Sequence, residues 1–198
     1  MEKVLKVLCL LLLPLSLNAE FIVKSYQELK NQKVVRQNYE QSCGASSLAT
    51  LLNLIDKKQY TELDLLKVMS QKELYTDMVS FADLKSAIQT LGYEGQSYKI
   101  HQDNLELLIQ VPLLVKIEDD PRFPHFVVII NQKGNYLEVL DPSHGSYISS
   151  KSQFFSIWDR HKKGGFALVV VPKAGPGEYK LNIPSSKVHF EKKPFKMF

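Results

Sequence analysis

The sequence predicts an α+β domain, on three observations. Apolar residues recur at helical spacing in the first half, as in Leu48, Leu51, Leu52 and Ile55. In the second half they give way to continuous β-branched and aromatic runs such as Phe126-Val127-Val128-Ile129-Ile130. Between two of these runs lies Gln132-Lys133-Gly134-Asn135, a tight hairpin in which Gly134 or Asn135 supplies the positive φ, so the sheet is expected to be mainly antiparallel. An N-terminal helical layer packed on a C-terminal sheet follows.

In chain order, the first nineteen residues read as an export signal. Lys3 and Lys6 are followed by a mostly apolar stretch from Val7 to Leu17, and Asn18-Ala19 ends in a small residue suited to cleavage. An uncleaved signal would leave a membrane anchor, but the stretch is short of the roughly 20 apolar residues that a span needs. The expected organisation is a signal over 1–19, one domain over 20–172, and an irregular extension over 173–198. In that extension Tyr179, Leu181 and Ile183 could alternate as an edge strand, and Lys187, Lys192, Lys193 and Lys196 cluster.

Helices are predicted over Cys43–Ile55, with Ser42 as its cap, and over Glu62–Ser70 and Phe81–Leu91. Thr61/Asp64 and Ser80/Asp83 are spaced as capping boxes, and Gly92 stops the third helix. A short helix follows His101 through Leu105, Leu108 and Ile109. Strands are then predicted over Leu113–Ile117, His125–Asn131, Tyr136–Leu140 and Phe166–Val171. There is no internal repeat.

Composition narrows the function. The formal net charge of +4, which loses two lysines and one glutamate with the signal, is too small to point to nucleic acid. No His, Cys or carboxylate cluster has metal-ligand spacing, and no cofactor is implied. The chain has two cysteines, and Cys9 leaves with the signal. Cys43 is then a lone thiol in an exported chain, either buried and inert or kept free for its reactivity. Its place in the first turn of a helix favours reactivity, because free amide N–H groups and the helix dipole stabilise a thiolate there.

Such a thiolate needs a base. Of the five histidines, His125 opens the apolar strand run, where a rigid element can hold the imidazole, whereas His101, His144, His161 and His189 sit in polar or turn-like settings. Sixteen positions after His125, at the end of the paired strand, stands Asp141-Pro142, whose carboxylate could fix the imidazole tautomer. Gln37, six positions before Cys43, could aim its amide at the same oxygen as the Cys43 N–H, with Gln41 as the local competitor. Small residues beside the thiol, Ser42, Gly44, Ala45 and Ser46, would let a substrate backbone approach. Taken singly each of these residues has an ordinary structural reading; their coincidence carries the inference.

These motifs resemble the double-glycine leader peptidases of the papain-like cysteine peptidase clan. The matching residues are Gln37, Cys43-Gly44, His125-Phe126-Val127-Val128 and Asp141-Pro142, with Gly145 beyond, and the similarity runs from about Val34 to Val171, including Phe154 and Trp158. The resemblance implies a papain-like fold with Cys43 as nucleophile, His125 as general base and acid, Asp141 as orienter and Gln37 as oxyanion donor. Two departures stand out. The residue before the cysteine is often acidic in transporter-linked members and is Ser42 here, which bears on the leader-binding surface, and no transmembrane or ATPase segment follows the domain.

The expected function is therefore that of an exported, periplasmic cysteine endopeptidase that cuts a secreted polypeptide after small residues such as Gly-Gly. It is similar to the stand-alone member encoded with bacterial functional amyloid secretion systems. The expected partners are a secreted amyloid or leader-bearing polypeptide and an outer-membrane exporter, with no nucleic acid and no membrane span after signal cleavage. Alternatives on the same residues are a non-catalytic polypeptide-binding escort, an acyl transferase, and a structural role with Cys43 buried.

Overall fold

The computed structural model describes residues 23–70, 79–118, 125–173 and 181. The signal expected over 1–19, the lysine cluster, His189 and all of the expected extension beyond 173 except Leu181 lie outside them. The element order is α1 (Tyr26–Asn31), α2 (Cys43–Ile55), α3 (Glu62–Ser70), α4 (Phe81–Thr90), β1 (Glu94–Ile100), α5 (Gln102–Leu105), β2 (Pro112–Ile117), β3 (His125–Asn131), β4 (Tyr136–Asp141), β5 (Gly145–Ser150), α6 (Lys151–Trp158) and β6 (Gly165–Val171).

The six strands form one antiparallel sheet in the order β1-β6-β2-β3-β4-β5. Because side chains alternate across a strand, its central strands bury both faces, which explains their unbroken apolar runs. Leu114, Phe126, Val128, Ile130, Leu140 and Leu168 face one core with α2, α3 and α4. Leu113, Val115, Val127, Ile129, Leu137, Val139 and Ala167 face a second core with Leu105, Phe154 and Trp158. The helical layer thus lies on one face, as the sequence predicts, while α5 and α6 cover the other. In that second core Trp158 lies so close over Gly165 that a Cβ there would fall 2.2 Å from the ring, and its Nε1 donates to the Phe166 carbonyl at 3.0 Å.

Helix α2 is the central element. Every residue from Gly44 to Ile55 except Asn53 is buried, which fits a helix apolar on most of its circumference. Two of its buried hydroxyls are used as ties: Ser47 Oγ donates to the Phe126 carbonyl at 2.8 Å, and Thr50 Oγ1 accepts from Val35 N–H at 2.9 Å. Both predicted capping boxes are present, Thr61 with Asp64 and Ser80 with Asp83. Gly134 takes the positive φ, 94°, in the β3–β4 hairpin. Among the described residues, no helix is long and apolar enough to cross a membrane.

Two expectations need correction. Ser42 occupies the N-cap position of α2, but with φ −87° and ψ 9° its side chain makes no capping bond, and its hydroxyl reaches the Tyr39 carbonyl and Glu62 instead. With that ψ in place of the extended backbone usual at an N-cap, the side chain does not reach the free amides of the first turn. The small residues Ser42, Gly44, Ala45 and Ser46 are all buried, with Ala45 and Ser46 at 0% exposure, so they do not form the floor of a substrate cleft. Their size serves packing: a Cβ on Gly44 would meet Val79 at 3.2 Å.

Candidate active site

Cys43 is the first residue of α2 and His125 the first of β3, and the α2–β3 packing, pinned by the Ser47–Phe126 bond one turn into the helix, brings these two starts together. Cys43 is free and half-buried. Burial pushes its thiol pKa up, but the His125 ring and the backbone of Phe126 and Gly44 favour the thiolate by more, so the pKa falls below the ordinary thiol value.

The imidazole is held from its other side. His125 Nε2 lies 3.0 Å from Asp141 Oδ1, which leaves Nδ1 as the ring nitrogen open to the thiol. Burial pushes the imidazole pKa down, but hydrogen bonds to Asp141 and Cys43 outweigh it and raise the pKa to about 9. The carboxylate is in turn fixed by its own turn: Asp141 Oδ1 accepts from the N–H of Ser143 at 2.7 Å and of His144 at 3.1 Å. Burial would raise the Asp141 pKa, yet these donors and His125 lower it to about 2. The shifts therefore favour thiolate, imidazolium and carboxylate over the neutral thiol and imidazole.

Gln37 is joined to the same turn, its N–H donating to the Pro142 carbonyl at 3.1 Å. Its Oε1 is buried without a hydrogen-bond partner among the described residues. Gln41, the competitor, is exposed and has a left-handed backbone, φ 68°. His101 and His161 are exposed.

Three residues of the site were missed from sequence. His144 is solvent-facing, with 73% of its side chain exposed, yet its Nδ1 lies 3.1 Å from Asp141 Oδ2. Its place three residues after Asp141 was a readable signal. Ser47 was hidden in an otherwise apolar helix face, and Glu62 stood only as the first residue of a predicted helix. Among the described residues, no group of three or more His, Cys, Asp and Glu side chains is arranged to hold a metal ion.

The model of the Peptidase C39 family matches residues 31–174. A probable functional amyloid protease, FapD of Pseudomonas fluorescens, is 29% identical over 141 residues, 69% of this chain and 62% of that protein. The lactococcin-G-processing and transport ATP-binding protein LagD of Lactococcus lactis subsp. lactis is 27% identical over 153 residues, 77% of this chain but 20% of that protein. The chain thus spans less than two thirds of the length of these relatives.

Among solved structures, the peptidase domain of Streptococcus ComA, a bi-functional ABC transporter, superposes with a TM-score of 0.59 at 22% identity, over 71% of this chain and 98% of that one. A double-glycine-motif protease from an AMS/PCAT transporter, solved with its leader peptide, gives 0.53 at 23% identity, over 70% and 90%. The fold is that of these papain-like peptidase domains.

Proposed function

The chain belongs to the Peptidase C39 family, and on that premise we propose that it is a cysteine peptidase that cleaves a peptide bond through a thioester on Cys43. The observation that carries the reading is the His125 Nε2 to Asp141 Oδ1 contact of 3.0 Å, which presents the other face of an imidazole of raised pKa to a thiol of lowered pKa.

In this reading the Cys43 thiolate attacks the scissile carbonyl carbon, and the carbonyl oxygen takes up the negative charge. The Cys43 N–H and the Gln37 amide stabilise that oxyanion, a contribution of about 3 kcal/mol for one donor. As the intermediate collapses, the C–N bond breaks and His125 Nδ1 gives its proton to the leaving amine, leaving the acyl group on sulfur. Water then loses a proton to His125 and attacks the thioester, which releases the new carboxyl terminus and regenerates the thiolate–imidazolium pair. The backbone N–H of Gln37 donates to the Pro142 carbonyl at 3.1 Å, which ties this residue to the turn after Asp141 and supports its place at the site.

The substrate in this reading is a secreted polypeptide, supported by the likeness to a functional amyloid protease and to a lactococcin-G-processing protein, and the cut follows small residues such as Gly-Gly, as the resemblance to the double-glycine leader peptidases implies. Export to the periplasm belongs to the same proposal and is supported by the charge and apolar pattern of residues 1–19. The test compares wild type with Cys43→Ala against co-exported small polypeptides by mass spectrometry. A new amino terminus that depends on the thiol is expected, and identical product spectra would overturn the reading. Sequencing the amino terminus of the chain from the periplasmic fraction tests export, with Glu20 expected first.

A further inference from the structure

Glu62 is a buried acidic group, 3% exposed, that the mechanism above does not use. It is the first residue of α3, but the Thr61–Asp64 box already caps that helix, and the Glu62 side chain turns away from it toward the loop before Cys43. Its two oxygens accept from Asn38 N–H at 2.9 and 3.1 Å, from Asn38 Nδ2 at 2.8 Å, from Tyr39 N–H at 3.4 Å, and from the Ser42 hydroxyl. Burial pushes its pKa up, and the Ser42 and Asn38 donors bring it below the ordinary glutamate value, so the group is held ionised.

The clamped loop, residues 38–42, connects Gln37 to Cys43. Its start is anchored by the Gln37–Pro142 bond and its end by α2, while between them the chain contains a left-handed non-glycine residue, Gln41, at φ 68°. That conformation costs a β-carbon residue roughly 1–2 kcal/mol and persists only where the surroundings impose it. We propose that Glu62 is a positioning residue of the acylation site: its carboxylate fixes the 38–42 loop so that the Gln37 amide and the Cys43 N–H converge on one oxygen. This rests on the acyl-enzyme reading above. Every partner of Glu62 is a donor, so the carboxylate's charge and its lack of hydrogens both matter; an amide would turn an N–H₂ group on at least one of them.

The test separates oxyanion stabilisation from thiolate formation in the full chain. Release of p-nitrophenol from the p-nitrophenyl ester of N-benzyloxycarbonylglycine reads acylation, which passes through an oxyanion; iodoacetamide alkylates the thiolate by displacement and forms none. Glu62→Gln is expected to slow acylation about 10- to 100-fold, less than the roughly 100- to 1000-fold cost of losing an oxyanion donor outright because the donor is displaced and not removed, with the iodoacetamide rate and its pH midpoint unchanged. Acylation within about threefold of wild type, or acylation and alkylation falling together, would overturn the proposal. Should Glu62→Gln fail to fold, Ser42→Ala removes only the hydroxyl that reaches Glu62 and the Tyr39 carbonyl: a loss of about three- to tenfold in acylation alone supports the clamp, and an unchanged rate overturns it. If wild type releases no more p-nitrophenol than Cys43→Ala, the acyl-enzyme reading itself falls, and this inference with it.

Discussion

The Asp141 carboxylate holds His125 by Nε2, at 3.0 Å, and is itself held by the backbone of Ser143 and His144. Its orientation is therefore set by a turn that does not depend on the histidine, and it can impose one tautomer on the ring, with Nδ1 left for the sulfur. Asp141→Asn keeps the size but loses the charge that stabilises the imidazolium. Acylation is expected to fall about 10²- to 10⁴-fold, with the pH midpoint of Cys43 alkylation moved upward. A variant that acylates at the wild-type rate would mean that the carboxylate serves only the turn.

The pH behaviour follows from the opposed shifts. With the thiol pKa lowered and the imidazole raised to about 9, the ion pair persists between them. Iodoacetamide reactivity should reach its plateau below the ordinary thiol range, and His125→Ala should move the midpoint up toward about 8.5. Peptide turnover should decline above about pH 9, where the proton for the leaving amine is lost. Stability follows the same groups. The contribution of His125, whose pKa is raised on folding, is full below its open-chain value near 6.5 and is lost as pH rises through about 9. That of Asp141, whose pKa is lowered on folding, is full above its open-chain value near 3.9 and is lost as pH falls through about 2. Thermal melts across pH should decline at both ends, and a melt temperature flat between pH 7 and 10 would contradict the His125 shift.

Burial explains most of what the sequence revealed and hid, although α6, which buries Phe154 and Trp158, was missed as well. The strands read from it, β2, β3, β4 and β6, are the interior of the sheet, where burial on both faces writes a continuous apolar run. The two missed strands, β1 and β5, are its edges. Glu94-Gly95-Gln96-Ser97-Tyr98-Lys99-Ile100 and Gly145-Ser146-Tyr147-Ile148-Ser149-Ser150 are half-exposed and polar, so nothing in their pattern outranks a loop. Helix α1 was missed for a related reason: it buries no residue, and only its Ser25–Glu28 capping box marks it. Cys43, His125 and Asp141 were legible because each begins or ends an element with a strong pattern. Glu62 was not, because its partners are backbone and side-chain donors of an irregular loop twenty or more positions away, which no spacing encodes.

Gln37 and Gln41 differ in a way that turnover can read. Gln37 is fixed to the Asp141 turn and buries an unpartnered oxygen, whereas Gln41 is exposed in a left-handed turn. Gln37→Ala should lower acylation by roughly 100-fold, as expected for one lost oxyanion donor, while leaving alkylation unchanged. Gln41→Ala should change neither rate by more than about threefold. The reverse ranking would transfer the donor role to Gln41.

Ser47 tests how the two halves of the site are kept in register. Its hydroxyl donates at 2.8 Å from the cysteine-bearing helix to the carbonyl of Phe126, the residue after His125, inside a core where Ser47 itself is 0% exposed. Removing a buried partner costs about 1–3 kcal/mol, which for a domain of this size is a fall in Tm of roughly 2–10 °C. Because the bond spans the two elements that carry the thiol and the imidazole, Ser47→Ala should also weaken the His125–Cys43 pairing and raise the alkylation midpoint. That sets it apart from Glu62→Gln, where acylation falls and alkylation holds. A lower Tm with an unchanged alkylation profile would assign the spacing to the apolar contacts of Leu48, Leu52, Phe126 and Val128 alone, since these pack the same two elements together without any directional bond.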